Sequence, residues 1–186
     1  MPKQYKKFPR NKHDEYNTPL EPALPLRAFL SGVRTFAEPC CSNGQLVEHV
    51  ESFGPLCIHS DDIRYGTDAL TDPVLRALIV DAIITNPPYT WSILKQMLGL
   101  FPTIAPTWML LEADFKYLEH AMPYMPMCSD VVPIGQIRWF ADTKHKSFKR
   151  YAWYRFDVRN TQLTIFHPRQ KFPKALVAPA AVAKAA

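Results

Sequence analysis

The chain has 186 residues, of which 47% are hydrophobic and 21% are charged. This length corresponds to one domain at about 150 residues per domain, and the composition is close to that of globular proteins. No apolar run approaches the roughly 18 residues of a membrane span, so we expect neither a membrane-spanning nor a wholly disordered protein. The formal net charge of +5 is compatible with a polyanionic partner.

Composition divides the chain into three segments. Residues 1–13 form a basic arm without helical or strand periodicity, residues 14–170 form a single domain, and residues 171–186 form a Pro/Ala-rich tail. No apolar segment follows the arm, so we expect no secretory signal and a cytoplasmic location. The cysteines and histidines lack the spacings of metal or disulfide sites, so we expect no metal centre.

The first half of the domain begins with a helix and a strand. Apolar residues at helical spacing predict a helix that starts after Thr18 and ends near Ser31-Gly32, with Thr18 as its cap and Pro19 in its first turn. A strand over residues 33–38 then leads through a turn of small residues, 41–44, into a helix over residues 45–50. A strand, a small-residue turn and a helix are the opening of a nucleotide-binding unit.

Strands and helices continue to alternate after this unit. The predicted order is strand 56–60, helix 72–78, strand 80–85, helix 90–101 and strand 107–111. The near-continuous apolar run in the second of these strands is typical of a strand buried on both faces of a parallel sheet. The alternation predicts an α/β fold with a Rossmann-like, doubly wound and mostly parallel sheet.

The pattern changes in the last third of the domain. Two strand-like runs, 135–140 and 152–156, are joined by a basic loop, 142–150. We expect the two runs to pair as an antiparallel hairpin at the edge of the sheet, and residues 161–166 to add a last short strand.

The tetrapeptide Asn86-Pro87-Pro88-Tyr89 directly follows the predicted strand 80–85. Two prolines fix two φ angles and remove two backbone donors, so the turn presents the Asn86 amide and backbone carbonyls rigidly. Such acceptors suit an amino-group substrate like adenine, and the Tyr89 ring offers a face on which a base stacks. For the tetrapeptide alone, a simple strand-ending turn is the alternative.

Several motifs in this order resemble those of the N6-adenine DNA methyltransferases, more closely the small bacteriophage-type members. The similar segments are Tyr16-Asn17-Thr18-Pro19, Glu38-Pro39-Cys40-Cys41-Ser42-Asn43-Gly44, Asp61-Asp62-Ile63-Arg64, Gly66-Thr67-Asp68-Ala69-Leu70, the tetrapeptide 86–89, and the late runs 135–139 and 152–156. The resemblance implies transfer of a methyl group from S-adenosylmethionine to adenine N6 in double-stranded DNA, with the target base flipped out, as in restriction-modification systems. If the gene belongs to a phage, the location is the host cytoplasm.

The resemblance also assigns residues to the cofactor. Glu38 would face the cofactor amine and Asp68 its adenine amine, although Asp68 is equally suited to cap the following helix. Asp62 lies at about the spacing expected of an acid that binds the ribose hydroxyls, with Asp61 as the alternative. The full predicted cofactor set is Tyr16, Thr18, Pro19, Glu38, Pro39, Cys40, Ser42, Gly44, Asp62, Ile63, Asp68, Ala69 and Asn86.

A second predicted set contacts nucleic acid. It comprises Lys144, His145, Lys146, Lys149 and Arg150, with Phe148 and Tyr151 interleaved, and Phe166. The basic loop is suited to grip phosphates, and a solvated hairpin tip is its alternative reading. By the resemblance, Phe166 stacks on the opposite face of the target base, whereas a core position is the alternative.

Ser42 is a departure from the family, which usually has glycine at this position. A Cβ atom would crowd a loop that needs a positive φ and would weaken cofactor binding. This residue favours a rival function, a catalytically silent nucleic-acid-binding or anti-restriction protein with the same fold. Methylation of RNA adenine or of a protein glutamine amide are further alternatives.

Overall fold

The structure is a computed structural model that describes residues 17–140 and 145–173. Tyr16, Lys144, the predicted arm and most of the predicted tail lie outside these residues, so their assignments stay predictions. The helices are α1 (Leu20–Ala23), α2 (Gln45–Glu51), α3 (Pro73–Ala77) and α4 (Trp91–Ile104). The strands are β1 (Thr35–Glu38), β2 (Leu56–Ser60), β3 (Ala82–Thr85), β4 (Thr107–Glu112), β5 (Cys128–Gly135), β6 (Tyr151–Phe156) and β7 (Ile165–Phe166).

The strands form one sheet in the order β2-β1-β3-β4-β6-β5-β7. Strands β1 to β4 are mutually parallel, β6 is antiparallel to both β4 and β5, and β7 runs parallel to β5. This topology confirms the predicted α/β fold with a mostly parallel sheet and an antiparallel hairpin. Because β1, β2, β3 and β4 are parallel, the loops that follow them meet at one edge of the sheet.

Each face of the sheet carries its own buried cluster. One face packs against α4 through Leu94, Leu98 and Phe101, and the other packs against α1 and α2. The indole Nε1 of Trp153, on β6, donates a hydrogen bond of 2.7 Å to the backbone oxygen of Pro22. This buried bond attaches the first helix to the centre of the sheet. In the described part of the chain, no helix combines the length and apolarity needed to cross a bilayer.

The hairpin uses a different first strand from the predicted one. The partner of β6 is Cys128–Gly135, and residues 136–140 lie outside any strand, so the prediction of a strand over 135–140 was wrong. Gly135 has a φ of +96° and turns the chain out of the sheet. Beyond it, Ile137 is buried and the Trp139 ring packs edge-on against Tyr151, which preserves the alternation of apolar residues without strand pairing.

The first helix is shorter than predicted. The α-helical part spans four residues and continues as a 3₁₀ helix, Leu24–Phe29. Pro25 has no N–H, so the next α-helical hydrogen bond cannot form. The N-cap is Pro19, without a side-chain hydrogen bond, and Thr18 is buried in front of it. The prediction that Thr18 caps this helix was therefore wrong.

Candidate functional site

The carboxyl edge of the sheet brings three predicted segments together. The Thr85 hydroxyl, at the end of β3, donates to Glu38 Oε1 at the end of β1, over 2.7 Å. The backbone N–H of Cys41 donates to the backbone oxygen of Asp61, after β2, over 3.0 Å. The loop 40–44, the two acids after β2 and the tetrapeptide after Thr85 therefore lie side by side, as the sequence predicts.

Glu38 is the most deeply buried acid of this edge, with 0% of its surface exposed. Its Oε1 accepts from Thr85 and from the backbone N–H of Cys40, at 3.1 Å, whereas its Oε2 is buried without a partner among the described residues. Burial raises the pKa of Glu38 to about 8, against the lowering effect of the two hydrogen bonds. In its ionised form this oxygen needs a donor, and a cationic amine would supply one and favour the ionised carboxylate.

The loop 40–44 contains a strained residue that is held from three sides. Ser42 has a φ of +51° and is the one non-glycine residue with positive φ in the described ranges. Its N–H donates to Asp62 Oδ2 at 2.9 Å, its hydroxyl donates to Asn17 Oδ1 at 2.8 Å, and its carbonyl accepts from the Tyr65 hydroxyl at 3.0 Å. The loop thus takes the left-handed turn that glycine favours, and these bonds offset a cost of about 1–2 kcal/mol. The next turn, at Gly44, forms the N-cap of α2.

The two acids after β2 have different surroundings. Asp62 is mostly buried, and its Oδ1 accepts from both the backbone N and the Nε of Arg64, each at 3.0 Å. Together with the bond to Ser42, these contacts make its carboxylate the link between two loops. Asp61 accepts from the Thr67 hydroxyl at 2.7 Å, which lowers the pKa of its carboxyl. Asp62 as the ribose ligand, with Asp61 as the alternative, stays a prediction.

The remaining predicted cofactor residues lie around this network. Asp68 Oδ1 accepts from the Leu70 N–H at 2.9 Å and so closes its own turn. The cap of α3 is Asp72, whose side chain accepts from Val74, so the alternative role of Asp68 as the helix cap was wrong. Ala69 and Pro39 are buried, Pro19 and Cys40 are half-buried, and Ile63 is exposed. No contact in the structure assigns these residues to a ligand, and their roles stay predictions.

The tetrapeptide holds its asparagine through its tyrosine. The Tyr89 hydroxyl donates to Asn86 Oδ1 at 3.0 Å, which fixes the orientation of the amide. The Tyr89 ring is stacked near Tyr151 of β6, with 6.2 Å between the ring centres and 29° between the planes. Pro87 is buried. This turn is thus anchored on one side by β3 and on the other by an aromatic neighbour.

A cavity of about 540 Å³ opens beside Tyr89. Its aromatic lining consists of Tyr89, Trp91, Phe115, Trp139, Phe140, Phe148 and Tyr151. Sequence reasoning missed Trp91, Phe115, Trp139 and Phe140 as site residues. The high density of aromatic residues in the segment before β6 could have indicated a binding surface, but residues 135–140 were assigned to a predicted strand.

The predicted basic loop borders this cavity. His145, Lys146 and Lys149 line it, and Arg150 is exposed next to them. Lys146 Nζ lies 3.5 Å from Glu21 Oε1, and Lys149 forms an ion pair with Glu112. Lys146 and Lys149 therefore place their ammonium groups at the mouth of the cavity, each beside a carboxylate.

Phe166 does not line this cavity. It lies on β7, where it pairs with Val131, and that residue is opposite Tyr154 rather than Tyr151. From the strand spacing and the rise per residue, the backbones of Phe166 and Tyr151 are roughly 14 Å apart. Its ring is exposed and near the Lys116 ammonium group. The alternative core position was therefore wrong, and the stacking of Phe166 on the target base stays a prediction.

Comparison with solved structures assigns the fold. The chain superposes on a candidate RNA methyltransferase from Pyrococcus horikoshii with a TM-score of 0.54 and 16% identity, over 81% of this chain and 91% of that one. It matches a candidate class I S-adenosylmethionine-dependent methyltransferase from Listeria monocytogenes with a TM-score of 0.53 and 13% identity, over 82% and 65%. The chain has the class I methyltransferase fold.

A third neighbour has the same fold within a longer chain. It is the type I restriction enzyme EcoKI M protein, with a TM-score of 0.53 and 7% identity over 77% of this chain and 44% of that one. This chain therefore spans less than two thirds of the length of the M protein and of the Listeria protein. No family model and no curated protein matches the sequence. At these identities the neighbours show the fold, and the chemistry has to be argued from the residues at the carboxyl edge.

Proposed function

We propose that the protein transfers a methyl group from S-adenosylmethionine to the N6 amino group of adenine in DNA. The observation that carries the proposal is the position of Asn86-Pro87-Pro88-Tyr89. It follows β3 immediately after Thr85, whose hydroxyl bonds the buried Glu38. An acceptor for an amino group is thereby adjacent to the loop that resembles the family's cofactor loop.

The buried acid at this edge fits the cofactor. Glu38 Oε2 lacks a donor among the described residues, and an ammonium group of the bound amino acid moiety would supply one. The Ser42 turn and the N-terminus of α2 would hold the moiety's carboxylate, and Asp62 or Asp61 the ribose hydroxyls. When bound there, S-adenosylmethionine would supply a methyl group on a positively charged sulfur.

The tetrapeptide acts on the acceptor nitrogen. The lone pair of an adenine amino group is delocalised into the ring, which makes the nitrogen a poor nucleophile. Asn86 Oδ1 and the Pro87 carbonyl would accept its two N–H bonds and favour the geometry in which the lone pair is localised. The transfer forms an N–C bond, breaks the S–C bond of the donor and releases one amino proton to water.

Nucleic acid is the acceptor that the surroundings support. Beside Tyr89 the cavity is lined by aromatic side chains, which stack on bases, and its mouth carries Lys146 and Lys149. A glutamine side chain needs neither feature. The experiment incubates the protein with radiolabelled S-adenosylmethionine and separates DNA, RNA and protein acceptors. Label in N6-methyladenine of DNA supports the proposal; label only in RNA or protein, or no cofactor binding at all, contradicts it.

Variants of the tetrapeptide separate chemistry from capture of the base. Asn86→Ala removes the acceptor, so we expect methyl transfer to fall by a factor of about a hundred or more, as for loss of an oxyanion-hole donor, with nearly normal cofactor affinity. Tyr89→Phe keeps the ring but loses the bond to Asn86, worth about 0.5–1.5 kcal/mol, and should cost several-fold. Tyr89→Ala should additionally weaken DNA binding.

These three variants are compared in one methyl-transfer assay, paired with calorimetric titration of the cofactor. An active Asn86→Ala protein would contradict the assigned role of the amide. Equal losses in Tyr89→Phe and Tyr89→Ala would assign the contribution of Tyr89 to its hydroxyl and not to its ring.

A further inference from the structure

The cavity beside Tyr89 is large enough to hold more than one aromatic ring. At about 540 Å³ it lies in the middle of the range for sites that enclose whole ligands. Two of its aromatic residues are strongly exposed at the rim, Phe148 at 59% and Phe140 at 41%. Exposed aromatic rings beside an aromatic cavity indicate a binding surface, because covering them with flat apolar groups lowers the free energy.

Two of the charges at the mouth of this cavity are compensated. Lys146 is beside Glu21, and Lys149 is paired with Glu112, which itself lines the cavity. Each pair sums to zero charge, so the two lysines attract a distant polyanion weakly. A protein that grips duplex DNA through its backbone typically relies on many uncompensated phosphate contacts.

At this surface, stacking on the aromatic side chains therefore contributes more to binding than attraction of phosphates to these two lysines. Each base that stacks on an aromatic side chain contributes about 1–3 kcal/mol, but the faces of a base are accessible only when it is unstacked. Extracting a base from a duplex costs a few kcal/mol, and a strand without a complement does not incur the cost of unpairing. An aromatic surface with compensated charges thus favours unpaired bases.

We infer that the cavity binds an unpaired DNA strand, with the target adenine beside Tyr89 and a neighbouring base against Trp139 and Phe148. This inference rests on the proposed function and names the form of its substrate. Trp139 contacts Tyr151 edge-on, with 5.3 Å between ring centres, and Tyr151 is in turn the stacked neighbour of Tyr89. The two binding positions are therefore part of one aromatic group.

The first experiment compares one adenine-containing oligonucleotide as a single strand, annealed to its complement, and annealed so that the adenine is bulged out. We expect kcat/KM for the single strand to exceed that for the full duplex by about tenfold or more, since unpairing costs a few kcal/mol and about 1.4 kcal/mol corresponds to tenfold. The bulged duplex should fall between them.

The second experiment measures binding of the same single strand by fluorescence anisotropy. Trp139→Ala should weaken binding by about tenfold, and Trp139→Phe should restore most of it because a stacking face returns. Tyr117→Ala, a change of an exposed aromatic residue outside the cavity lining, is the matched control and should bind normally. Cofactor affinity should be the same in all variants.

The outcomes distinguish the inference from the proposed function. Equal methylation of duplex and single strand, or undiminished strand binding by Trp139→Ala, overturns the inference and leaves the methyl-transfer proposal intact. Absence of methyl transfer to every form of DNA overturns both.

Discussion

Glu38 links the protonation of the site to the stability of the fold. Burial raises the pKa of its carboxyl from 4.5 to about 8, so the folded protein holds a proton that the unfolded chain releases at lower pH. A raised pKa contributes stability that is fully present below about pH 4.5 and is lost as the pH rises towards 8. We expect the free energy of unfolding, measured with urea, to fall between these pH values.

Glu38→Gln is the control for this prediction, because its side chain has a similar shape and does not titrate. The difference between the two proteins in unfolding free energy should change with pH over this interval and be constant below it. A constant difference throughout would mean that the carboxyl is ionised in the folded protein at neutral pH.

Ser42 offers a separate test of backbone strain. Ser42→Gly relieves the left-handed conformation, worth about 1–2 kcal/mol, but loses the hydroxyl bond to Asn17. Ser42→Ala loses the same bond and keeps the strain. We therefore expect the glycine variant to be more stable than the alanine variant by about 1–2 kcal/mol in urea unfolding. Equal stability of the two variants would argue against strain at this turn.

At the scale of elements, Gly135 ends β5 in a conformation that only glycine adopts easily. Its φ is +96°, and an added Cβ would lie 2.8 Å from the guanidinium carbon of Arg169. Gly135→Ala should destabilise the protein by about 1–2 kcal/mol. Gly99→Ala, in the middle of α4 with nothing near the added methyl group, should instead stabilise it by about 0.5–1 kcal/mol. Denaturant unfolding of both variants measures whether the two changes in the free energy of unfolding have opposite signs.

The same strand shows why one element could not be predicted. β5 contains Pro133 and the polar pair Ser129-Asp130, which interrupt its β-branched residues and leave no regular alternation. Residues 135–140 have the alternation, but Ile137 is buried and Trp139 packs against Tyr151 of β6 without strand pairing. The strands β1, β3 and β4 were predictable because buried parallel strands are near-continuous apolar runs between turn residues.

The candidate site likewise has residues that the sequence predicts and residues that it does not. Glu38, Asp62 and Asn86 were predictable because each follows a parallel strand, and the ends of such strands meet at one edge. The place of Phe166 in the sheet was not predictable, because it depends on the order of β5, β6 and β7, and local sequence does not encode that order. The aromatic cavity escaped prediction for the same reason.

At the scale of the whole molecule, the ion pairs at the cavity predict that Lys146 and Lys149 contribute little to the salt dependence of DNA binding. Glu21→Gln combined with Glu112→Gln releases Lys146 and Lys149 from their partners. We expect the slope of log K against log salt to steepen by up to about 0.7 for each new phosphate contact with a single strand. Fluorescence anisotropy over a salt series measures this slope.

Glu48→Gln is the matched control, since it removes an exposed acid of α2 that does not line the cavity. Its slope should equal that of the unchanged protein. If the double variant also leaves the slope unchanged, the two lysines do not contact phosphate, and the basic loop is a solvated hairpin tip.

Because β6 lies between β4 and β5, the sheet cannot be completed during synthesis until β6 has been made. Strand β4 is made at residues 107–112, but the strand that covers its far edge is made at residues 151–156. Until then the growing chain carries a row of unpaired backbone groups beside buried side chains such as Leu110 and Trp108. Such an edge is a template for pairing with other chains. The last third of the sequence therefore protects the nascent protein from self-association, in addition to shaping the cavity.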